Sequence, residues 1–165
     1  MIFGGRLAPC EQAPALHLLQ AYEGITRFQT TRWIHPHRRN WALDYLHHGR
    51  QTQRIGRGRP FERTSGLAAL YAPGCSYHEL QAAGVTIHES YVIFRVSGRA
   101  QRALKLLTAR DGYCHFEDPD AILADGLRAI AAEVFARRPG FAFAAHGRLA
   151  GLLAALLASE SVAPR

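Results

Sequence analysis

The feature that most constrains the fold of this chain is a change of sequence pattern near residue 118. Before that point, short runs of β-branched and aromatic residues are separated by Gly, Pro, Ser and Asn, a pattern typical of a β-sandwich or barrel. After it, Ala and Leu dominate, and the apolar residues recur with a helical period. The sequence therefore predicts a mainly β domain followed by helices.

The β region contains several predicted strands and one predicted helical stretch, at 100–107. The strongest strand pattern covers 85–96, where β-branched and aromatic residues are frequent. Gly56-Arg57-Gly58 separates two extended runs, as expected for a hairpin whose turn needs positive φ angles. The predicted strands are 25–34, 41–48, 51–55, 60–63, 67–71, 77–80, 85–96 and 112–116.

The N-terminal segment 11–22 is predicted to be a short helix, because Leu16, Leu19 and Tyr22 are spaced for one helical face. The first residues lack the basic and then apolar order of a secretory signal. The N-terminal segment, residues 1–22, is our candidate for a lid over the β domain.

Two helices are predicted in the tail. Asp118-Pro119-Asp120 is a helix start, with an N-cap carboxylate and a proline where its missing N–H does no harm. Arg137-Arg138-Pro139-Gly140 ends that helix with cations and then two helix breakers. The second helix carries a leucine face, so that the pair is predicted to form an antiparallel hairpin. That face consists of Leu149, Leu152, Leu153, Leu156 and Leu157.

Composition narrows the class of protein. The 165 residues, 48% of them hydrophobic and 20% charged, fit one globular domain with an appendage. The apolar run 149–158 is shorter than a bilayer crossing requires. The three cysteines include no C-x-x-C pair, which favours free thiols over a disulfide framework. We therefore expect a cytoplasmic protein without a membrane partner.

The net charge of +7 raises the alternative that the chain binds nucleic acid. The excess is nearly all arginine, it is spread along the chain, and no DNA-reading motif accompanies it. We favour a solvated surface over nucleic-acid contact. The side chains of the alternative would be Arg50, Arg54, Arg57, Arg59 and Arg63.

Five segments of the β region, with the two tail helices behind them, stand in an order and spacing that resembles a known family. The segments are Trp41-Ala42-Leu43-Asp44-Tyr45-Leu46-His47-His48-Gly49, Gly58-Arg59-Pro60-Phe61, Ser65-Gly66-Leu67-Ala68-Ala69-Leu70-Tyr71-Ala72-Pro73-Gly74, Tyr77-His78-Glu79 and Glu89-Ser90-Tyr91-Val92-Ile93-Phe94. They resemble the N-terminal effector-binding and dimerisation domain of AraC-family transcription regulators, an arabinose-binding-like cupin domain.

The resemblance implies a cupin-like double-stranded β-helix, or jelly-roll barrel, followed by a C-terminal antiparallel helical hairpin, α+β overall. Residues 1–117 would form the effector-binding barrel with its N-terminal arm, and 118–165 the helical dimerisation and linker region. Members of the family continue into a DNA-binding domain with two helix-turn-helix motifs. That domain is absent from these 165 residues, and we expect an excised sensor rather than a stand-alone relative.

The resemblance also implies a function and a site. The domain would bind a small effector, form a homodimer and pass its occupancy to the DNA-binding domain, which alone would contact DNA. Sugar-binding members have an aromatic residue at the position that matches Tyr91 and polar residues at the positions that match Glu89 and Glu79. Their pocket arginine falls near Ile34. Because carboxylates stand at two of these positions, we expect a cationic or hydroxyl-rich guest rather than arabinose. The full candidate lining is Glu79, Glu89, Tyr91, Ile34, Tyr77 and Ile93.

Three alternatives stay open at this stage. The glutamates would be structural if they face solvent or bond to arginines. The leucine face would pack within its own chain rather than form the dimer interface, for which we assign Leu149, Leu152, Leu153 and Leu156. The chain would be a small metal-dependent cupin enzyme, an oxygenase or isomerase, if His35, His37 and His78 held iron or manganese.

We expect no enzyme activity, no metal and no other cofactor. No glutamate follows the His35-x-His37 pair at the spacing that metal cupins use. The serines lack a G-x-S-x-G elbow. Cys75, beside Tyr77-His78, would be a reactive thiol if a base were placed against it, but we expect a partly buried, unreactive cysteine.

Overall fold

The computed structural model describes residues 15–27, 33–35, 39–80 and 84–162. Its strands form two antiparallel sheets, which we call sheet A and sheet B. In chain order the strands are β1 (Leu16–Arg27), β2 (Trp33–His35), β3 (Trp41–His48), β4 (Arg50–Ile55), β5 (Phe61–Thr64), β6 (Leu67–Tyr71), β7 (Tyr77–Glu79), β8 (Thr86–Val96) and β9 (Tyr113–Glu117). Sheet A has the order β1-β8-β3-β6-β9, and sheet B has the order β2-β7-β4-β5.

The two sheets face each other across an interior that we call the intersheet interior. Asp44 on β3 of sheet A bonds to Arg63 on β5 of sheet B. Tyr71 on β6 stacks on Tyr77 of β7, with ring centroids 4.2 Å apart. The prediction of a mainly β, antiparallel fold with C-terminal helices is confirmed. The finer class, a double-stranded β-helix, stays a prediction.

The predicted helix at 11–22 is wrong from Leu16 onward. Residues from Leu16 onward belong to β1, which pairs with β8 from Leu16 opposite Val96 to Arg27 opposite Thr86. The helical spacing of the apolar residues also fits a strand whose sides are both half-covered, and long-range pairing outweighs local preference. The lid prediction therefore fails for 16–22, and residues 1–14 lie outside the described residues.

The other predicted elements agree closely with the structure. The strand predicted at 25–34 is divided between β1 and β2, with 28–32 outside the described residues. The helical stretch predicted at 100–107 is present as α1 (Gly98–Leu107). Each remaining predicted strand overlaps one of the strands β3 to β9.

The tail forms two helices, α2 (Ile122–Ala136) and α3 (Phe141–Val162). The predicted helix start at Asp118-Pro119 is wrong by three residues, because α2 begins at Ile122 and its N-cap is Ala121. The Asp118 carboxylate nevertheless accepts backbone N–H groups of the first turn from a position before the helix. Asp118 Oδ1 accepts the N–H of Leu123 at 3.1 Å, and its Oδ2 accepts the N–H of Ala124 at 2.9 Å. α3 starts at Phe141, well before Leu149, the first leucine of the predicted face.

The helices share one hydrophobic core with the outer face of sheet A. Val92 and Phe94 of β8 and Leu43 of β3 pack in the same cluster as Leu127 of α2. The leucines assigned to a dimer interface lie in this cluster and are 0–5% exposed, as the intramolecular alternative expects. Dimerisation itself stays a prediction. The four leucines are Leu149, Leu152, Leu153 and Leu156.

One helical window within the described residues, Phe141–Ala158, has a length and mean hydropathy (1.6) that would allow it to cross a membrane. Core helices of soluble proteins satisfy the same criterion. In this chain, the buried side of the helix contributes Leu149 and Leu153 to the shared core.

Candidate functional site

The interior face of sheet A is identified by the register of its strands. Asp44 lies directly opposite Tyr91, and residues opposite each other in a sheet point to the same side. Because Asp44 bonds to Arg63 of sheet B, this side faces the intersheet interior. Alternation along β8 then places Glu89 and Ile93 on it as well. One row across sheet A consists of Tyr22, Tyr91, Asp44, Ala69 and His115.

An ion pair is buried in this interior. Arg63 is 0% exposed and donates from Nη1 to Asp44 Oδ2 at 3.0 Å and from Nη2 to Asp44 Oδ1 at 3.2 Å. Nη2 also donates to the carbonyl oxygens of Asp44 and Leu67. Burial opposes the charge on Arg63, but Asp44 outweighs burial and raises the pKa of the guanidinium. The guanidinium of Arg63 therefore keeps its positive charge in this interior.

Two buried glutamines extend the polar interior along β4. Gln53 Nε2 donates to Gln51 Oε1 at 2.8 Å, and the hydroxyl of Tyr71 donates to Gln53 Oε1 at 2.9 Å. Arg63 Nη1 lies 3.4 Å from Gln51 Oε1, which links this chain of bonds to the ion pair. Gln51 Nε2 is buried and has no hydrogen-bond acceptor among the described residues. It is a donor to which a guest or a water molecule could bind.

Glu79 and Tyr77, both candidate lining residues, lie on β7 and are already engaged. Glu79 is 6% exposed, and its Oε1 lies 3.0 Å from His35 Nε2. The ring of Tyr77 stacks on Tyr71 at 4.2 Å and on His35 at 4.3 Å. Stacking neighbours already contact the Tyr77 ring, so it offers little surface to a guest. Tyr77 therefore joins the two sheets through its stacking on Tyr71, and Glu79 adds a negative charge that acts on the pKa of Glu89.

Glu89 on β8 is the most unusual candidate residue. Its Oε1 accepts the hydroxyl of Thr26 at 3.0 Å. Burial first, and then the charges of Asp44 and Glu79, raise the pKa of Glu89 to about 8. The Thr26 hydroxyl and Arg63 act in the opposite direction, but they are too weak to compensate. The result is a carboxyl inside the protein that holds a proton near neutral pH.

Tyr91 and Ile93 lie on the same face of β8 and are half-buried. Tyr91 stacks on Tyr22 of β1, with centroids 5.1 Å apart and ring planes at 26°. Gln20 Nε2 donates to the Tyr91 hydroxyl at 3.0 Å. Ile93 lies opposite Gln20 on β1 and Ala42 on β3. Glu79, Glu89, Tyr91 and Ile93 therefore share the intersheet interior.

The position of Ile34 is described only by its backbone. It lies on β2 opposite His78 of β7. Its side chain lies outside the described residues, so its assigned place in the lining stays a prediction.

The histidines considered as metal ligands are occupied by other contacts where they are described. His35 contacts Glu79, and Arg54 Nη2 donates to His78 Nδ1 at 2.9 Å. His37 lies outside the described residues. No group of three His, Cys, Asp or Glu side chains in the described ranges is placed to hold a metal ion. Burial raises the pKa of Cys75 to about 11, which makes its thiol a poor nucleophile at neutral pH.

The nucleic-acid alternative loses one of its five arginines. Arg63 is fully buried and bonded to Asp44, so it is not available to a phosphate. Arg63 was grouped with the surface arginines because arginines are exposed far more often than they are buried.

Several side chains of the candidate site were not predicted from the sequence. Asp44 stands among the apolar residues of Trp41–His48, and that isolation was the available signal, because a buried charge requires a partner. Nothing local identified Arg63 as that partner. Thr26 and Tyr22 became part of the site only because β1 pairs with β8.

Comparisons with known proteins give distant structural similarities. No protein-family model and no curated protein matches the sequence. YhaK from Escherichia coli matches at 13% identity and a TM-score of 0.46, covering 72% of this chain and 50% of that one. ToxT from Vibrio cholerae O395 bound to (E)-4-(8-methylnaphthalen-1-yl)but-3-enoic acid matches at 9% identity and 0.49, covering 70% and 48%. The protein plu4264 from Photorhabdus luminescens matches at 14% and 0.39, covering 67% and 100%.

This chain thus spans about half the length of YhaK and of ToxT. Identities of 9–14% and TM-scores of 0.39–0.49 carry no inference about what this chain binds.

Proposed function

We propose that this chain senses a small molecule, bound in the intersheet interior, as the effector-binding part of a transcription regulator similar to the AraC family. The observation that carries the proposal is the polarity of this interior. An interior that served only for stability would be filled with apolar side chains, because burying polar groups is costly unless each is bonded. Here Asp44, Arg63, Gln51, Gln53 and Glu79 are all buried.

Several polar groups in this interior lack one or more hydrogen-bond partners among the described residues: Arg63 Nε and His115 Nε2 have none, and Glu89 and Gln51 are the two that bear on a guest. The described side-chain contacts of Glu89 supply one hydroxyl donor, from Thr26, whereas a carboxylate accepts several hydrogen bonds. Gln51 Nε2 has no acceptor among the described residues. Groups of this kind orient a guest in small-molecule sites, where a few polar side chains are placed against apolar walls.

The position of β1 supports a sensing role. Its inner face contributes Tyr22 and Thr26 to the interior, while Glu23 on its outer face pairs with Arg128 of α2 at 3.6 Å. A guest that contacts the inner face of β1 would shift a strand that also holds the helices. Sensing additionally requires that the guest prefers one of two arrangements. Dimerisation and DNA contact through a further domain are the output that the family resemblance implies.

The proposal is tested by thermal denaturation of the purified chain against a library of sugars, amines, amino acids and fatty acids. A guest that binds only the folded state at 100 times its Kd stabilises it by about 2.7 kcal/mol, which raises Tm by roughly 5–10 °C. Ile93→Trp fills the interior face and should abolish the shift. Leu106→Trp places the same side chain at an exposed position of α1 and should retain it.

The proposal fails if no compound in the library raises Tm, or if the shift survives Ile93→Trp in a protein that is still folded. Metal analysis of the same preparation separates the enzyme alternative. Stoichiometric iron or manganese would favour a metal-dependent cupin enzyme over a sensor.

A further inference from the structure

The intersheet interior contains more acidic side chains than cationic ones among the described residues. Asp44 forms an ion pair with Arg63, and Glu79 lies 3.0 Å from His35, which can balance its charge only when the imidazole is protonated. Glu89 receives one hydrogen bond from the neutral hydroxyl of Thr26, and no salt bridge to it is found among the described residues. A hydroxyl donor does not neutralise a carboxylate. The interior therefore contains at least one acidic group more than its described cations compensate.

An aromatic surface lies beside this carboxyl. Glu89 is directly opposite Gly24, and the next inward positions on the two strands are Tyr91 and Tyr22, which stack at 5.1 Å. A Cβ atom on Gly24 would lie 2.6 Å from the Tyr22 hydroxyl oxygen. The end of the Tyr22 side chain therefore lies over Gly24, and a side chain at Gly24 would have to displace it. The absence of a side chain there leaves room for the Tyr22 ring next to the carboxyl.

A carboxylate beside aromatic rings is the combination that recognises an ammonium group. The carboxylate supplies a charge-assisted hydrogen bond or a counter-ion, and the ring faces attract a cation through their quadrupole. We propose that the guest of the intersheet interior is a small organic cation, an amine or quaternary ammonium, whose charge meets Glu89 and whose carbon body lies against Tyr22 and Tyr91. This inference rests on the proposed function, since it specifies the guest of that same site.

The protonation of Glu89 gives the proposal a signature. Because burial and the charges of Asp44 and Glu79 raise the pKa of Glu89 to about 8, we expect its carboxyl to be mostly protonated at pH 7 before a cation binds. A cation binds the carboxylate form, so that binding releases the proton to the buffer, about one proton for each guest at pH 7. Its affinity should rise with pH up to about 8. An uncharged guest or a carboxylic acid would leave the proton in place.

The experiment is calorimetric titration of the full chain with two matched pairs of compounds. Choline is compared with its uncharged carbon isostere 3,3-dimethylbutan-1-ol, and phenethylamine with 2-phenylethanol. We expect at least one cation to bind at least about tenfold more tightly than its uncharged isostere. Titration at pH 7 in two buffers of different ionisation enthalpy should show release of about one proton per cation.

Variants locate the effect. Glu89→Gln should weaken the cation at least about tenfold and remove the proton release, and Tyr22→Leu should weaken it several-fold while the release remains. Glu23→Gln is the matched control, because Glu23 lies on the same strand as Gly24 but faces His88 and Arg128 on the outer side. It should bind like the wild type. Circular dichroism of each variant confirms that it is folded.

Equal affinities within both pairs, no binding by either cation, or binding that Glu89→Gln leaves unchanged would each overturn the inference. The library experiment above distinguishes this from failure of the proposed function. If sugars or fatty acids raise Tm and cations do not, the chain is still a sensor and only the cation assignment is wrong. If no compound raises Tm, the proposed function fails as well.

Discussion

Asp44 and Arg63 lie on different sheets, and their fully buried ion pair joins the two sheets from the inside. The guanidinium bonds to both carboxylate oxygens, at 3.0 and 3.2 Å, and also to the backbone carbonyl oxygens of Asp44 and Leu67. Such a pair adds little net stability compared with apolar residues, but the loss of one partner leaves an uncompensated charge. It therefore restricts how the sheets can close over the interior.

Removal of Arg63 alone should destabilise the protein strongly. We expect Arg63→Met to lower the free energy of unfolding by about 3–5 kcal/mol, measured by urea denaturation, because Asp44 remains buried without its partner. Arg110→Met, at a side chain that is 94% exposed, should change it by less than about 0.5 kcal/mol. The double variant Asp44→Leu/Arg63→Met should recover much of the loss. Similar losses for Arg63→Met and Arg110→Met would contradict the buried pair.

The pH dependence of stability should carry the signature of Glu89. A carboxyl whose pKa is raised on folding contributes stability below its unfolded pKa, about 4.5, and loses it as the pH rises through about 8. Glu89→Gln removes the titration while its amide oxygen can still accept the Thr26 hydroxyl. We expect the variant to match the wild type near pH 5 and to exceed it at pH 9 by an amount on the order of 1–3 kcal/mol.

The measurement is urea denaturation of both proteins from pH 5 to pH 9. Glu62→Gln is the control, because Glu62 is a half-exposed carboxyl beside Arg50 on the surface. Its curve should run parallel to that of the wild type. If the curves of Glu89→Gln and wild type also run parallel, Glu89 is an ordinary ionised carboxylate.

Two glycines in helices should respond oppositely to alanine. A Cβ on Gly151 of α3 would meet nothing within 4 Å, so that Gly151→Ala should stabilise the protein by about 0.5–1 kcal/mol through helix propensity. A Cβ on Gly126 of α2 would lie 2.6 Å from Leu152 Cδ1, in the buried core. Overpacking there should exceed the gain in propensity and destabilise by about 1 kcal/mol. Thermal denaturation compares the two, and equal shifts of Tm would show that α2 and α3 are not packed closely at this point.

The cap of α2 should be measurable. Asp118→Ala removes the acceptor of the N–H groups of Leu123 and Ala124 and should lower the free energy of unfolding by about 1 kcal/mol. Asp118→Asn keeps one acceptor oxygen and should lose less. The nearby exposed Asp120→Ala is the control, with an expected change within about 0.5 kcal/mol. Equal losses for Asp118→Ala and Asp120→Ala would leave only a general charge effect at the helix start.

The strands that the sequence predicted correctly are those whose signal is local. The pattern of β-branched and aromatic residues at 85–96 and the Gly56-Arg57-Gly58 turn act over a few residues, as does the Asp118 carboxylate at the start of α2. The N-terminal strand was missed for the opposite reason. Leu16–Arg27 becomes a strand because β8, some seventy residues further along the chain, supplies its hydrogen bonds.

The candidate site also contains residues that the sequence predicted and contacts that only the structure shows. Glu79, Glu89 and Tyr91 were selected from the sequence through a family resemblance, and the structure places all three in one interior. The resemblance did not reveal that Tyr77 is stacked between His35 and Tyr71, or that Arg63 is buried. Both contacts depend on which side chains of the facing sheet lie against Tyr77 and Arg63 once the two sheets have packed.

The order of residues by itself determined that this chain forms short antiparallel strands followed by two helices, because hydrophobic period and turn chemistry are properties of neighbouring residues. The tertiary structure alone decided that Asp44 has a counter-ion and Glu89 has none among the described residues. Charge balance in an interior is set by groups that come together when the sheets close, and no local pattern encodes which charge will meet which.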